Sequence, residues 1–536
     1  MKKYQLILLS ILSGILLSLA WPLKGFPFLI FVALVPLLFV ENYISRNPDK
    51  FHKFSVLFIS YVGFFTWNLL TTYWIWNSTV VGGILALLAN SLLMSLVFHF
   101  YHYTRKVVFK RKRAYLALVL YWVGFEYFHM DWDLSWPWLN LGNVFATNPQ
   151  IIQWYEFTGV FGGSLWILVC NILFFEILML FVNRSSETVF NKDFYKLISA
   201  TLVILIIPVS ISIFMYSKYS EKGKDVEVVV VQPNIDPYSE QYVTPPLEIL
   251  NKMLNLASQK LDSNSQFLIF PESALQENVW EDAFDYSQSV NVLRRFIQTY
   301  PNLAVIAGIS SQRLLAENEK LTNAARPLDG MEGRYYEPFN TALLVDKTGI
   351  LQKYHKSMLT PGVEKMPFKK LFKPIEKLAI NLGGTVGSLG IDAERKVFNT
   401  NSHKVSPIIC YESIYGGFVT GFVRNGAELL FIITNDGWWG NTPGHRQHFS
   451  YAALRAIETR RDIARSANTG ISGFVNQRGD VLQHTEYWKP AVISQTMKAN
   501  NEITFYVKYG DYIGRIFLFT GLLLLLLSFV RAIIKK

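Results

Sequence analysis

Apolar stretches recur at roughly 5–21, 26–42, 54–75, 79–103, 114–130, 157–182, 194–217 and 512–530, and they limit what this chain can fold into. A run of about 20 apolar residues matches the hydrocarbon thickness of a bilayer. Lipid offers backbone groups no water, so only helices and closed barrels cross it. The pattern predicts a polytopic α-helical membrane domain of eight transmembrane helices. The first stretch follows Met1-Lys2-Lys3 and could be taken for a signal peptide. Ser18-Leu19-Ala20 is a weak cleavage match and a second apolar run follows at once, so retention as the first span is expected.

The net charge of +11 raises the question of a nucleic-acid partner. Segments 1–3, 41–53, 104–114, 183–193 and 531–536 hold 16 Lys/Arg and 4 Asp/Glu, and the remainder is nearly neutral. The basic excess thus sits in short loops between apolar runs, where it reports orientation rather than nucleic-acid binding. With a cytoplasmic N-terminus, all five basic segments fall inside. Residues 218–510 then form one domain on the outer side, between a membrane domain at 1–217 and an eighth helix with its basic tail at 511–536. The outer loop Asp131–Glu156 carries Trp132, Trp136, Trp138 and Trp154, read mainly as an interfacial aromatic belt, with a contribution to a lipid-facing entrance as the alternative.

Residues 218–510 have a different texture. Short β-rich runs occur at Val226–Val231, Phe267–Phe270, Leu303–Ala307, Thr341–Val345, Val405–Ile409, Leu429–Thr434 and Ile471–Val475. Asp346-Lys347-Thr348-Gly349 and Asn476-Gln477-Arg478-Gly479 read as hairpin turns, and Pro246–Leu261 and His448–Ser466 as helices. An α/β domain with a mixed sheet is expected.

Cys170 and Cys410 are the two cysteines, too few for a disulfide framework or a cysteine zinc cluster. Cys170 lies in an apolar run and reads as an inert buried thiol. Three stretches place a reactive side chain at or just beyond an apolar strand. Phe267-Leu268-Ile269-Phe270-Pro271-Glu272 sets a carboxylate at a sheet edge, where partial desolvation suits a general base. Tyr354-His355-Lys356 offers an ammonium that can hold a thiolate or an oxyanion. Pro407-Ile408-Ile409-Cys410-Tyr411-Glu412 delivers a thiol from a buried strand. Singly, each stretch is more often structural than catalytic.

In the order Glu, Lys, Cys, with gaps of 84 and 54 residues, the stretches resemble the nitrilase (carbon–nitrogen hydrolase) superfamily. The runs Thr434-Asn435-Asp436-Gly437-Trp438-Trp439-Gly440, Gln447-His448, Arg455-Ala456-Ile457-Glu458 and Arg465-Ser466-Ala467-Asn468-Thr469-Gly470, together with Trp136-Pro137-Trp138-Leu139, narrow the match. With apolar spans on both sides of the domain, the whole chain resembles the apolipoprotein N-acyltransferase family. The resemblance implies an αββα sandwich, with Cys410 as nucleophile, Glu272 as base and Lys356 as oxyanion partner. Glu364 matches an assisting glutamate, and Tyr411 and Glu412 match supporting positions. A family tryptophan is missing after Gln232-Pro233-Asn234-Ile235-Asp236-Pro237, so Tyr242 or Tyr238 is the aromatic candidate, with Trp438 and Phe368 as further substrate contacts.

The implied chemistry is a ping-pong transfer in an inner-membrane enzyme without cofactor. A phospholipid acylates Cys410, and the thioester passes the chain to the N-terminal amine of a diacylglyceryl-cysteine on a lipoprotein. Segment Met366–Lys373, with Phe368, Leu371 and Phe372, reads equally as a lid dipping into the lipid interface or as a plain amphipathic surface loop. His445 and His448 have metal-ligand spacing but no evident third ligand, so no metal is expected. The alternative enzyme is a membrane-anchored nitrilase-type amidase with water as acceptor. A transporter or lipid-binding scaffold is disfavoured, because Glu126 and Glu176 are the main ionisable candidates within spans.

Overall fold

The computed structural model describes residues 1–110, 114–183, 192–241, 243–368 and 388–534. These fall into two compact units, one of residues 1–73, 83–218 and 509–536, the other of residues 74–82 and 219–508.

The first unit is helical. Seven described helices are long and apolar enough to cross a membrane: Lys3–Ala20, Pro27–Arg46, Ser55–Asn77, Val80–Val107, Tyr155–Val182, Lys192–Lys218 and Tyr512–Ile534. The span expected at 114–130 is a helix of only 14 residues, Tyr115–Phe128. Ile206, Ile213, Phe214, Phe519 and Leu526 are exposed, which makes sense for side chains facing lipid. Small residues let helices touch along their backbones. A Cβ on Gly14 would lie 2.3 Å from the Gly63 carbonyl oxygen, and one on Gly124 would lie 2.9 Å from the Leu518 Cα.

Where a helix is interrupted, side chains satisfy the backbone, as lipid requires. The break between the turn Pro27–Phe31 and the helix Val35–Arg46 is closed by Asn171, which accepts from the Leu34 N–H and donates to the Ile30 carbonyl, each at 2.8 Å. Glu126 accepts the Leu141 N–H at 2.7 Å, and Tyr115 donates to Glu176. Both acids therefore have structural partners. Trp138 is fully buried, which corrects its assignment to an interfacial belt. Cys170 is fully buried too.

Strands of the second unit are, in chain order, β1 (Lys224–Gln232), β2 (Phe267–Ile269), β3 (Leu275–Trp280), β4 (Ala304–Leu314), β5 (Arg326–Pro327), β6 (Tyr335–Val345) and β7 (Gln352–His355). They continue as β8 (Phe398–Asn399), β9 (Lys404–Ile409), β10 (Leu429–Thr434), β11 (Ile463–Ala467), β12 (Gly473–Val475), β13 (Val481–His484) and β14 (Ala491–Ala499). One sheet has the order β14-β1-β2-β4-β6-β5, with β3 beside β4 and β7 beside β6. The other runs β13-β12-β11-β10-β9-β8. Phe267 of the first meets Phe431 of the second edge to face, 5.1 Å between centroids.

Helices Pro246–Ala257 and Gln288–Phe296 cover the first sheet, and Gly416–Arg424 and Pro443–Thr459 the second, giving the four-layered αββα sandwich. The outer core packs Leu250 and Met253 against Val229, Val231 and Leu268. Each such buried side chain contributes about 1.5–3 kcal/mol. Val228 and Val230 are buried on the opposite face of β1, which explains a strand apolar on both sides.

Each of the seven β-rich runs overlaps a strand, though Phe270, Leu303, Ile471 and Ser472 lie just outside theirs, and both turn sequences join antiparallel neighbours. The expected helix His448–Ser466 is wrong at its end. It stops at Thr459 because Arg460 adopts left-handed φ of 51°, and Ile463–Ala467 continues as the parallel strand β11. Strand β14 also escaped the sequence reading: its sequence Ala-Val-Ile-Ser-Gln-Thr-Met-Lys-Ala is half polar, and its pairing with β1 is what orders it.

Candidate active site

Glu272 follows β2 and enters the gap between the sheets with its carboxylate buried. Oε1 accepts from Asn340 Nδ2 at 2.7 Å and Lys356 Nζ at 3.1 Å, while Oε2 accepts the Asn435 N–H at 3.0 Å. Lys356 lies just beyond β7 and is 1% exposed. Its ammonium also reaches Glu364 Oε1 at 2.9 Å. Burial alone would discharge it, but Glu272, Glu364 and Cys410 outweigh that and hold its pKa well above the ordinary value. Glu364 is fixed in turn by the Thr360 N–H at 2.9 Å and by Asn340 at 3.2 Å. Burial opposes its charge, yet Lys356 leaves its pKa lowered.

Cys410 directly follows β9 and has φ of 50°, the left-handed region an L-residue enters at a cost of about 1–2 kcal/mol. Such strain persists only where surroundings impose it. Here Ser413 Oγ donates to the Cys410 carbonyl at 2.7 Å, and Arg455 donates to the Ile414 carbonyl at 2.7 Å. Burial, and then the Glu272 charge, push the Cys410 thiol up, with Lys356 opposing. Burial and the Glu272 charge both favour the thiol over the thiolate.

Glu412 is fully buried. It accepts from the Ser357 N–H and the Tyr354 hydroxyl, both at 2.6 Å, and from the Ile409 N–H at 2.8 Å. Burial pushes its pKa up to about 7. Tyr411 packs edge to face on Tyr415, 5.3 Å between centroids, and burial raises its phenol well above the usual range.

Next to Cys410, His448 lies between Ser413 Oγ at 3.1 Å and Asp436 Oδ1 at 3.0 Å. Arg465 pairs with the other Asp436 oxygen. Cys410, Asp436 and His448 each offer a donor atom within 4.8 Å of one another, a spacing a cation could use. The Arg465 guanidinium already fills that role, and a second cation there would meet its charge. His445 stands apart, stacked on Tyr487 at 3.9 Å, and burial lowers its pKa to about 4.

Among the proposed substrate contacts, Trp438 meets Tyr238 edge to face at 5.2 Å, and the Tyr238 hydroxyl donates to the Trp438 carbonyl at 3.1 Å. Tyr242 lies outside the described residues, as does the Lys369–Lys373 part of the expected lipid-facing segment. Phe368 is half-buried with φ of 47°. Asn340, Tyr354 and the Asn435 N–H were missed by sequence reasoning. A lone Asn in a strand carries no signal, and a backbone donor carries none at all.

Residues 227–502 match the carbon–nitrogen hydrolase family, and residues 13–173 match the apolipoprotein N-acyltransferase N-terminal domain. An apolipoprotein N-acyltransferase of Chlorobaculum tepidum is 31% identical over 98% of this chain and 96% of its own length. Proteins of the same name from Geobacter metallireducens and Thermotoga maritima are 27% and 28% identical, each over 94% of this chain, and over 91% and 90% of their own lengths. The helical half and the carbon–nitrogen hydrolase half are thus matched together along nearly the whole chain, and the chain belongs to the apolipoprotein N-acyltransferase family of acyltransferases.

Proposed function

We propose that the protein transfers a fatty acyl chain from a membrane phospholipid to the N-terminal amine of a diacylglyceryl-modified lipoprotein, by way of a thioester on Cys410. The observation that carries this reading is the buried cluster in which one ammonium, Lys356, serves Glu272 and Glu364 beside the Cys410 thiol.

Glu272 takes the thiol proton as sulfur attacks the ester carbonyl. Lys356 stabilises the oxyanion of the tetrahedral intermediate, acting inside a low-dielectric site. As that intermediate collapses, the C–O bond breaks and Glu272 returns the proton to the departing lysophospholipid. In the second half-reaction the lipoprotein amine attacks the thioester carbonyl, Glu272 accepts an amine proton, and the C–S bond breaks. That proton passes to sulfur and regenerates the thiol. Glu364 and Asn340 hold Lys356 and Glu272 in register, while Glu412 fixes the backbone on either side of the site.

Chain connectivity and charge support a site on the outer face of a bacterial inner membrane. The catalytic unit is joined to apolar helices at both ends, and the basic residues concentrate in the loops assigned to the cytoplasm. A thioester shielded from water by lipid would survive until the acceptor arrives.

The test is intact-protein mass spectrometry after incubation with phospholipid vesicles. The expected result is a fatty-acyl adduct on Cys410 that is discharged by a diacylated lipopeptide. Absence of the adduct, or discharge to water at the same rate without lipopeptide, overturns the proposal.

A further inference from the structure

His355 ends β7 and Lys356 follows it, its N–H still bonded to the Asn340 carbonyl at 2.8 Å, and the alternation of extended chain sends the two side chains to opposite sides. Lys356 enters the catalytic cluster. His355 enters a second buried network that the chemistry above does not use. Its Nε2 lies 2.6 Å from Glu281 Oε1, and its Nδ1 lies 3.2 Å from Asp392 Oδ1. Its backbone N–H donates to Asp392 Oδ2 at 2.9 Å. Phe339 stacks on the imidazole at 4.0 Å, and the ring is almost wholly buried.

Carboxylate oxygens only accept, so two of them facing the two ring nitrogens require both nitrogens to carry hydrogen. That species is the imidazolium. Besides Glu281 and Asp392, the charged groups facing this network are Lys353, 2.6 Å from Glu281 Oε2, and Lys396, 2.8 Å from Asp392 Oδ2. Both lysine side chains are more than a third exposed, whereas that of His355 is 7% exposed. The imidazolium is thus the cation the two acids share away from water. Burial works against its charge, but Asp392 and Glu281 outweigh burial and raise its pKa.

The residue on the other side of Lys356 is held as firmly. Ser357 donates its N–H to Glu412 and its hydroxyl to the Asp392 carbonyl at 2.7 Å. Lys356 is bracketed by two clamped neighbours, and one of the clamps depends on a proton.

We infer that His355 is a positioning residue whose imidazolium, gripped between Glu281 and Asp392, fixes the chain at Lys356 and makes Cys410 chemistry dependent on its protonation. The inference rests on the reading that Lys356 serves Cys410. It predicts a loss of function as pH rises and His355 becomes neutral, because an uncharged ring leaves a nitrogen lone pair facing a buried carboxylate.

The experiment uses the full-length enzyme, with two readouts taken across pH: the rate of acyl-Cys410 formation from phospholipid vesicles, and the rate of Cys410 alkylation by iodoacetamide. Acylation precedes any amine acceptor, so its pH profile is free of acceptor titration. Wild type should lose acylation in a one-proton alkaline step. His355→Gln should acylate about 10- to 100-fold more slowly at unchanged KM for phospholipid and lack that step. Asp392→Asn should move the step to lower pH, and this variant decides the matter if His355→Gln does not fold. A wild-type rate in His355→Gln, the same alkaline step in that variant, or an unmoved step in Asp392→Asn overturns the inference. If wild type forms no acyl adduct, the proposed function fails, and alkylation still decides on His355. Alkylation slowed by His355→Gln with loss of the step sustains the positioning role, and alkylation unchanged refutes it.

Discussion

The Glu412 carboxylate accepts the Ser357 N–H at 2.6 Å, so an acid two residues after Cys410 holds the residue directly after Lys356. The Ile409 N–H binds its other oxygen at 2.8 Å. One buried group therefore sets the spacing between Lys356 and Cys410, the two side chains proposed to act together and 54 positions apart in sequence. Replacement by glutamine keeps the shape but must turn an NH2 toward one of these N–H donors. Glu412→Gln is expected to destabilise the protein by about 1–3 kcal/mol, the cost of an unmade buried hydrogen bond, and to slow acylation. Thermal melting in detergent and acyl-adduct mass report the two effects. A variant with wild-type melting and wild-type acylation would refute the spacing role.

Glu272 raises the Cys410 pKa by its charge, second only to burial, while serving as the proposed base. The two effects have opposite consequences when it is replaced. Glu272→Gln should lower the thiol pKa and speed iodoacetamide alkylation at a fixed neutral pH. The same variant should acylate about 10²- to 10⁴-fold more slowly, the usual worth of general-base catalysis. Acylation that keeps pace with alkylation would leave Glu272 as a bystander.

Arg455 and Glu458 form a buried two-point ion pair at 2.7 and 2.8 Å, and the same guanidinium holds the Ile414 carbonyl beyond Cys410. Removing one member strands the other charge away from water. Arg455→Met should cost about 3–5 kcal/mol, and Arg455→Met combined with Glu458→Leu should cost less than the single change. Chemical or thermal unfolding of the three proteins measures this. Equal losses in single and double variants would show that no stranded charge is involved.

Acid stability should depend on the network around His355. The Glu281 and Asp392 pKa values are raised by burial, but the hydrogen bond from His355 and those from the lysines bring both down to about 2, below ordinary values of 4.5 and 3.8. Acids depressed in the folded state contribute stability that is complete above their unfolded pKa and is lost as pH falls through the folded one. The wild-type melting temperature should therefore fall between about pH 4.5 and 2. Glu281→Gln and Asp392→Asn should each flatten that fall. Parallel curves for wild type and variants would exclude a contribution from this pair.

Much of this molecule was legible in its sequence, for reasons that differ by region. The long apolar runs announce membrane helices because lipid permits few other structures. The runs Val228–Val231 and Leu429–Thr434 announce strands because a strand covered on both faces must be apolar throughout. Glu272, Lys356 and Cys410 were identifiable as a set because their order matches a known family and because Glu272 and Cys410 each follow a strand with an apolar end, whereas Lys356 follows the polar strand Gln352–His355. Tertiary structure alone decided the rest. Strand β14 exists through its pairing with β1, and β11 begins where Arg460 turns left-handed. Asn340, Tyr354 and the Asn435 N–H acquire meaning only from the partner the fold brings within 3.0 Å. His355 is the clearest case. Its charge follows from two carboxylates, 74 and 37 positions away in the chain, that meet its two nitrogens. Apolar patterning is local and can be read along the chain. Protonation is set by neighbours in space, which the chain does not list.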